Sequence, residues 1–257
     1  MSGATSIALV GADGRMGRRL AALIEGEAGL QVSARIGRDG LTLDELSPST
    51  VDVVIDFSVA AQVTATVTWC QRHGVPLVLG TTGLARDAWG SVDAAAATVP
   101  IVAAPNFSVG VNALFALAGE LARMVGPDFD LELVEAHHRH KVDAPSGTAV
   151  RLLEVLSEAR ANAVTRCGRE GLVGPRTDEE IGVSVVRGGD VVGEHTVLYL
   201  GEGEQVHLTH RATDRDIFAR GALRDDEGLR ERGEPLGVDL LRAPALRAML
   251  VELDPLL

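Results

Sequence analysis

His137, His138, Arg139, His140 and Lys141 stand in one run, and a Pro145-Ser146-Gly147-Thr148 turn follows them within the stretch VEAHHRHKVDAPSGTAV at 134–150. These residue types suit metal ligation, acid/base catalysis or a solvated charged loop. Zinc needs ligands that converge, as two histidines on one helical face do. Residues 129–136 (FDLELVEA) alternate as a strand does, so His137 and His138 stand at a strand end and point to opposite sides. No CxxC pair completes a metal set, and the spacing of His207 and His210 is uninformative, so no metal is expected. Acid/base work fits better. An imidazole titrates at about 6.5 and an amine at about 10.4, so near neutral pH a lysine donates protons and a histidine works in either direction. His137 and Lys141, four apart across a strand-to-loop turn, can face one pocket. Ser146 or Thr148 can cap the helix that follows, whose first N–H groups and partial positive charge suit a carboxylate or phosphate.

The elements that must carry these residues follow from periodicity. Residues 6–10 (SIALV) form a short aliphatic run, then GADGRMG, then RRLAALIEGE with helical apolar spacing: strand, glycine turn, helix. Residues 30–36, 51–57 (VDVVIDF), 76–79 and 101–103 predict further buried strands, and 60–72 and 84–97 helices. This alternation implies a doubly wound parallel sheet. The rhythm changes near Asn106: a long helix at 109–125, a strand at 129–136, a helix at 147–161, then strands at 181–187, 191–200 and 205–210 joined by the turn-rich links GGD and GEGE. Tight links suggest a mostly antiparallel second sheet. The predicted organisation is a dinucleotide-binding domain over 1–107, with about 214–257 returning to it, and a second domain over 108–213.

GADGRMG sets glycines at 11, 14 and 17, between a strand and a helix, where backbone N–H groups approach a pyrophosphate. After the second strand, an acid would accept the ribose hydroxyls of NAD, whereas an arginine suits the 2′-phosphate of NADP. The stretch here is ARIGRDG: Arg35 and Arg38 are available, and Asp39 comes one step late. NADPH is therefore favoured, with NADH possible. Gly80-Thr81-Thr82-Gly83 ends a strand on the edge where open α/β sheets hold ligands.

Composition narrows the class. A formal net charge of −12 argues against a nucleic-acid binder. It also means that an anionic substrate needs a locally positive site. No apolar run approaches the ~20 residues of a membrane span, and the N-terminus lacks the basic and long apolar regions of a signal peptide. Cys70 and Cys167 have no metal-like spacing and are expected as buried free thiols. A cytoplasmic setting is expected, with neither nucleic acid nor membrane as partner.

EAHHRHKVDAPSGTA closely resembles the signature of the dihydrodipicolinate reductase family, also called 4-hydroxy-tetrahydrodipicolinate reductases. GADGRMG, DFS (56–58), GTTG, APNFSVGVN (104–112), VRGGDVVGEHTV (186–197) and FARGAL (218–223) resemble that family in order, up to about residue 223. The resemblance implies a Rossmann-like cofactor domain plus an α+β substrate and oligomerisation domain with an open mixed sheet, assembled as a homotetramer. It implies NAD(P)H-dependent reduction of a cyclic imine-type dicarboxylate, 4-hydroxy-tetrahydrodipicolinate, to tetrahydrodipicolinate in diaminopimelate and lysine biosynthesis. His137 matches the family's acid/base histidine and Lys141 its proton donor. His138 matches a substrate-contacting position, and Gly147 and Thr148, beside Ser146, match the carboxylate site. Gly11, Ala12, Asp13, Gly14, Arg15 and Met16, Gly80, Thr81 and Thr82, and Ala104, Pro105, Asn106 and Phe107 match cofactor-binding segments. Two features depart from the family: Gly37 precedes Arg38, so the ribose-hydroxyl acceptor is missing, and RDDEGLRERGEP after Leu223 is unusually charged. Two other readings remain beside the reductase, a metal-dependent hydrolase built on the histidines and a non-catalytic NADPH-binding sensor.

Overall fold

Continuous β-branched runs flanked by amphipathic helices dictate a sheet covered on both faces, and the first half of the chain builds one. The structure, a computed structural model, describes residues 4–38 and 41–232, with side chains to residue 224. The chain divides into two compact units, one running to Val109 and resuming at Asp216, the other spanning Gly110–Arg215.

In the first unit, β1 (Thr5–Val10), β2 (Leu30–Ile36), β3 (Val53–Asp56), β4 (Leu77–Leu79) and β5 (Ile101–Ala103) form a parallel sheet in the order β2-β1-β3-β4-β5. Successive side chains of β1 feed opposite faces. Ile7 and Leu9 pack with α1 (Arg15–Gly26) and α6 (Asp216–Arg232). Ala8 and Val10 pack on the side that holds α2 (Ala60–His73) and α3 (Arg86–Ala96). Each fully buried aliphatic side chain contributes roughly 1.5–3 kcal/mol. α2 stops at Gly74, whose φ of 69° is the left-handed conformation of a helix C-cap. α6 returns the chain to this unit: Ala219 and Ala222 are buried in its core, and Asp216 accepts from Arg19 at 2.5 Å. The order 2-1-3 makes the carboxyl ends of β1 and β3 the point where the strand order reverses, where such sheets hold ligands.

In the second unit, β6 (Asp130–His137), β7 (Val164–Cys167), β8 (Glu180–Arg187), β9 (Gly193–Gly201) and β10 (Glu204–Ala212) lie in the order β10-β9-β6-β8-β7. β6 with β8 and β7 with β8 are parallel, and β6 with β9 and β9 with β10 antiparallel. The expectation of a mostly antiparallel sheet is thereby corrected: the link from β6 to β8 passes through α5 (Gly147–Ala159) and the unforeseen β7, and a crossover of that length permits parallel pairing. One face carries Leu131, Leu133, Val197 and Tyr199 against α4 (Val109–Val125) and α5. The Tyr199 hydroxyl donates to the Ala118 carbonyl at 2.7 Å, satisfying its buried polar end. The other face bears Glu132, ion-paired with Arg169 and Arg176, and the Thr196–Thr209 hydroxyl pair. Cys70 is buried as expected, but Cys167 is exposed, because the short β7 is an edge strand with largely exposed side chains. No helix among the described residues is long and apolar enough to cross a membrane.

Candidate active site

The stripe that buries Leu131 and Leu133 on β6 continues to Glu135 and His137, two and four residues on along the same face. Glu135 is wholly buried, and a buried carboxylate needs partners for both oxygens. It has them. Arg187 Nη2 donates to Oε1 at 2.8 Å and Nη1 to Oε2 at 2.9 Å, Ser146 N donates to Oε1 at 3.0 Å, and His137 Nδ1 sits 2.5 Å from Oε2. Arg187 also donates to the Asp143 carbonyl at 2.7 Å, tying the loop after β6 to β8. Burial alone would raise the Glu135 carboxyl, but Arg187, His137 and the Ser146 N–H together hold it below the usual range.

His137 therefore presents Nδ1–H to a carboxylate and keeps Nε2 for proton exchange. Gly193 on β9 makes the room: a Cβ there would stand 3.1 Å from Nε2. Burial pushes the imidazole below its ordinary value, Glu135 pulls it back up, and the charges of Lys141 and Arg187 push it down again. His137 is thus mainly neutral near pH 7, and the Glu135 carboxylate would stabilise an imidazolium there. Lys141 follows in the turn closed by Lys141 N to the His138 carbonyl, and its ammonium is paired with Asp143 at 2.8 Å. His137 and His138 part as expected at a strand end: the His137 ring meets His195 edge-on at 5.2 Å, and the His138 ring lies 6.3 Å from that of His140.

Ser146 is buried and fixes the start of α5, its Oγ accepting from Ala149 N at 3.2 Å and lying 3.0 Å from His195 Nε2. It serves as a cap and spacer, while the adjoining Gly147 is exposed with open space where a Cβ would stand. Thr148 is half-buried in the same first turn. Burial, reinforced by the neighbouring His137, lowers His195 to about 4, so it stays neutral. Sequence reasoning missed Glu135, Arg187, His195 and Asp143. Glu135 had a signal, since residues i and i+2 of a strand share a face. Arg187 and His195 reach the site only through pairing, as the register partners of His137 and Glu135 respectively.

Glu135, His137 and His195 are also the one metal-compatible group among the described residues, their ligand atoms lying within 4.8 Å of one another. It differs from the 137/138/140 cluster that the sequence offered. Both Glu135 oxygens already take charge-assisted hydrogen bonds, and a cation there would have to displace or face the Arg187 guanidinium.

In the first unit, a cleft of about 810 Å³ opens at the carboxyl ends of β1 and β3, lined by Gly11, Asp13, Gly14, Arg38, Phe57 and Ser58 among others. The glycine turn fits a dinucleotide. Gly17 has Gly11 O 2.2 Å from where a Cβ would stand, so turn and helix approach as only glycine allows. The N-cap Gly14 brings no side chain, and no acid stands in the first turn of α1, so its N–H donors remain suited to an anion. Ala12 is buried, Met16 packs on the core and Arg15 is exposed. Arg38 is exposed at the cleft, whereas Arg35 is taken by Glu25 at 2.5 Å; Asp39 lies outside the described residues.

The other expected cofactor segments stand at the ends of β4 and β5. The Thr81 hydroxyl donates to Asp56 Oδ1 at 2.8 Å and accepts from Ser58 N at 2.8 Å, which latches the ends of β3 and β4. The Phe57 ring fills the space above Gly80, and Thr82 is exposed. Ala104 and Phe107 are buried, Pro105 is exposed, and Asn106 Oδ1 accepts from Ser108 N at 2.8 Å. In this segment the side chains of Ala104 and Phe107 pack into the core of the first unit.

Comparison with known proteins gives a consistent result. A family model described as "Dihydrodipicolinate reductase, N-terminus" matches residues 5–107, and one described as "Dihydrodipicolinate reductase, C-terminus" matches 110–235. A 4-hydroxy-tetrahydrodipicolinate reductase of Myxococcus xanthus (strain DK1622) is 48% identical over 241 residues, 84% of this chain and 89% of its own. A protein of the same name from Anaeromyxobacter dehalogenans (strain 2CP-1 / ATCC BAA-258) is 45% identical over 258 residues, 91% of this chain and 95% of its own. Among solved structures, dipicolinate-bound dihydrodipicolinate reductase from Paenisporosarcina sp. TG-14 shares the fold with a TM-score of 0.72 at 23% identity, covering 90% of this chain and 96% of that one.

Proposed function

The chain belongs to the dihydrodipicolinate reductase family, and we propose on that basis that it reduces 4-hydroxy-tetrahydrodipicolinate to tetrahydrodipicolinate with a nicotinamide cofactor, a step of diaminopimelate and lysine biosynthesis. The observation that carries the reading is His137, whose Nδ1 rests on the buried Glu135 carboxylate, in the same loop as the Lys141 ammonium and beside the start of α5. Net, one hydroxyl of the substrate leaves as water and one C–H bond forms, so a proton must be delivered as the ring is reduced. The bound nicotinamide supplies the hydride. Lys141 delivers the proton, and His137, steadied by Glu135, holds or exchanges it at Nε2. The two substrate carboxylates are met by Gly147 and Thr148 at the start of α5 and by His138. The glycine turn, with Gly80 to Thr82 and Ala104 to Phe107, holds the cofactor. In this reading, residues to about 107 and from 214 form the cofactor domain, and 108–213 the substrate and oligomerisation domain. Arg38 favours NADPH, with NADH accepted. The protein works in the cytoplasm as a homotetramer assembled through the open face of the mixed sheet.

The test is a coupled assay: the aldol-condensation product of the preceding synthase plus NADPH or NADH, followed at the nicotinamide absorbance. Oxidation that requires both substrate and chain is expected. A cofactor that binds without turnover would refute the reading. The alternative, metal-dependent hydrolysis, would have to use Glu135, His137 and His195, where the Arg187 guanidinium already holds both carboxylate oxygens. Chelator-sensitive hydrolysis with no nicotinamide binding would favour it.

A further inference from the structure

The sequence lacks an acid directly after β2, yet the structure has a carboxylate there. β2 ends at Ile36, whose carbonyl accepts from Gly11 N at 2.9 Å and Ala12 N at 3.1 Å. These bonds lash the glycine turn to the strand end and carry the next residue, Asp13, over Gly37. A Cβ on Gly37 would fall 1.9 Å from Asp13 Oδ2, so the Asp13 carboxylate fills the volume where a side chain at 37 would begin. The Arg38 N–H donates to that same oxygen at 3.1 Å. This one bond leaves most of the acceptor capacity of a carboxylate unspent, and no described residue bonds Oδ1 or forms an ion pair with Asp13. Asp13, Gly37 and Arg38 all line the cleft that holds the glycine turn.

We propose that Asp13 is the ribose-reading acid of this chain: its carboxylate, folded over Gly37, accepts a hydroxyl of the adenosine ribose and disfavours a phosphate at that position, so that cofactor choice is a contest between Asp13 and Arg38. The inference rests on the proposed function, which sets a dinucleotide on the glycine turn, and it deepens that reading. The physical basis is general. An acid at the end of the second strand accepts ribose hydroxyls, and an arginine nearby takes a 2′-phosphate. Here the acid arrives from the glycine turn instead of from β2, and Gly37 is what leaves room for it. A carboxylate and a guanidinium at one cleft recognise both nucleotides, NADH through the first and NADPH through the second.

The test is direct binding of NADH and of NADPH to the full chain, by titration calorimetry or nicotinamide fluorescence, in the unaltered protein, Asp13→Asn, Asp13→Ser and Arg38→Ala. Asparagine keeps an oxygen for the Arg38 N–H and removes only the charge. Serine removes the reach as well. Asp13 is exposed, so both variants should unfold at the temperature of the parent, which a thermal melt checks. Asp13→Asn is expected to weaken NADH about tenfold, the worth of one charge-assisted hydrogen bond, while NADPH binding holds or tightens. Arg38→Ala is expected to do the converse. Equal changes for both nucleotides, or none, in the two Asp13 variants would overturn the assignment and leave Asp13 as a pin for the loop after β2. Failure of the unaltered chain to bind either nucleotide would overturn the parent reading, and this one with it.

Discussion

Replacing Glu135 by glutamine keeps the shape of the side chain and removes the charge on which the site is organised. Four donors converge on that carboxylate: two from Arg187, one from Ser146 N and one from His137 Nδ1. A glutamine amide offers one oxygen and one NH2, so whichever way it turns, at least one donor faces another donor. If the oxygen stays at the Oε2 position, His137 and Arg187 Nη1 keep their acceptor while Arg187 Nη2 and Ser146 N lose theirs; if it moves to the Oε1 position, the imidazole and Arg187 Nη1 lose theirs instead. A hydrogen bond to a charged group is worth about 1.5–3 kcal/mol. Expressed in the step that forms the imidazolium, this is roughly 10- to 150-fold in kcat. Glu135 raises the His137 pKa, so its removal must move any limb of the pH–rate profile that reports His137 to lower pH. The assay is steady-state nicotinamide oxidation across pH, beside a urea melt, because breaking a buried pair costs about 3–5 kcal/mol and unfolded enzyme must be excluded. A folded Glu135→Gln protein with kcat within about twofold of the parent and an unmoved pH limb would refute the orienting role.

Three further outcomes follow from the same geometry. Lys141→Ala is expected to lower kcat by about 10²–10⁴ while NADPH affinity holds within about twofold; near-normal kcat in single-turnover measurements would remove Lys141 from the chemistry. Burial lowers His195 from 6.5 to about 4, so the unfolded chain binds more protons below the ordinary value, and the stability contributed by neutral His195 is present above it and lost as pH falls. Integrated from about pH 7.5 to about pH 5 the loss is about 2 kcal/mol, measurable as a drop in urea midpoint that His195→Gln largely abolishes; equal drops in both proteins would contradict it. Gly17→Ala sets a Cβ against Gly11 O and the Ala12 backbone, an overpacking of about 1–3 kcal/mol, and should lower both Tm and nucleotide affinity; unchanged values for both would mean that the turn does not need the close approach.

Local pattern was a reliable guide where one element carries its own reason. The bounds of β2, β5 and α4 follow from runs of aliphatic residues and helical spacing alone. The return of α6 to the first unit is foreshadowed by its small apolar residues, Ala219 and Ala222. The unforeseen β7 is four residues long and largely exposed, so it leaves no apolar signature. The tight GGD and GEGE links point to antiparallel pairing and do join β8 to β9 and β9 to β10 in sequence, but β8 pairs in parallel with β6 and β7, so only the β6–β9 and β9–β10 pairs are antiparallel. The charged stretch after Leu223 continues α6 to Arg232, and residues 233–257 lie outside the described residues.

For the site the division is physical. Histidine, lysine and the serine-capped turn lie within a few residues of each other, so their chemistry is a property of the chain and is legible before folding. Asp13 lies in the glycine turn, yet only the bonds from that turn to Ile36 carry its carboxylate over Gly37. Arg187 and His195 stand fifty and fifty-eight residues from His137 and meet it through strand register, which no local spacing encodes. What the linear order settled was which groups can move a proton. What folding settled was their protonation and aim, because those depend on burial and on partners brought from distant strands.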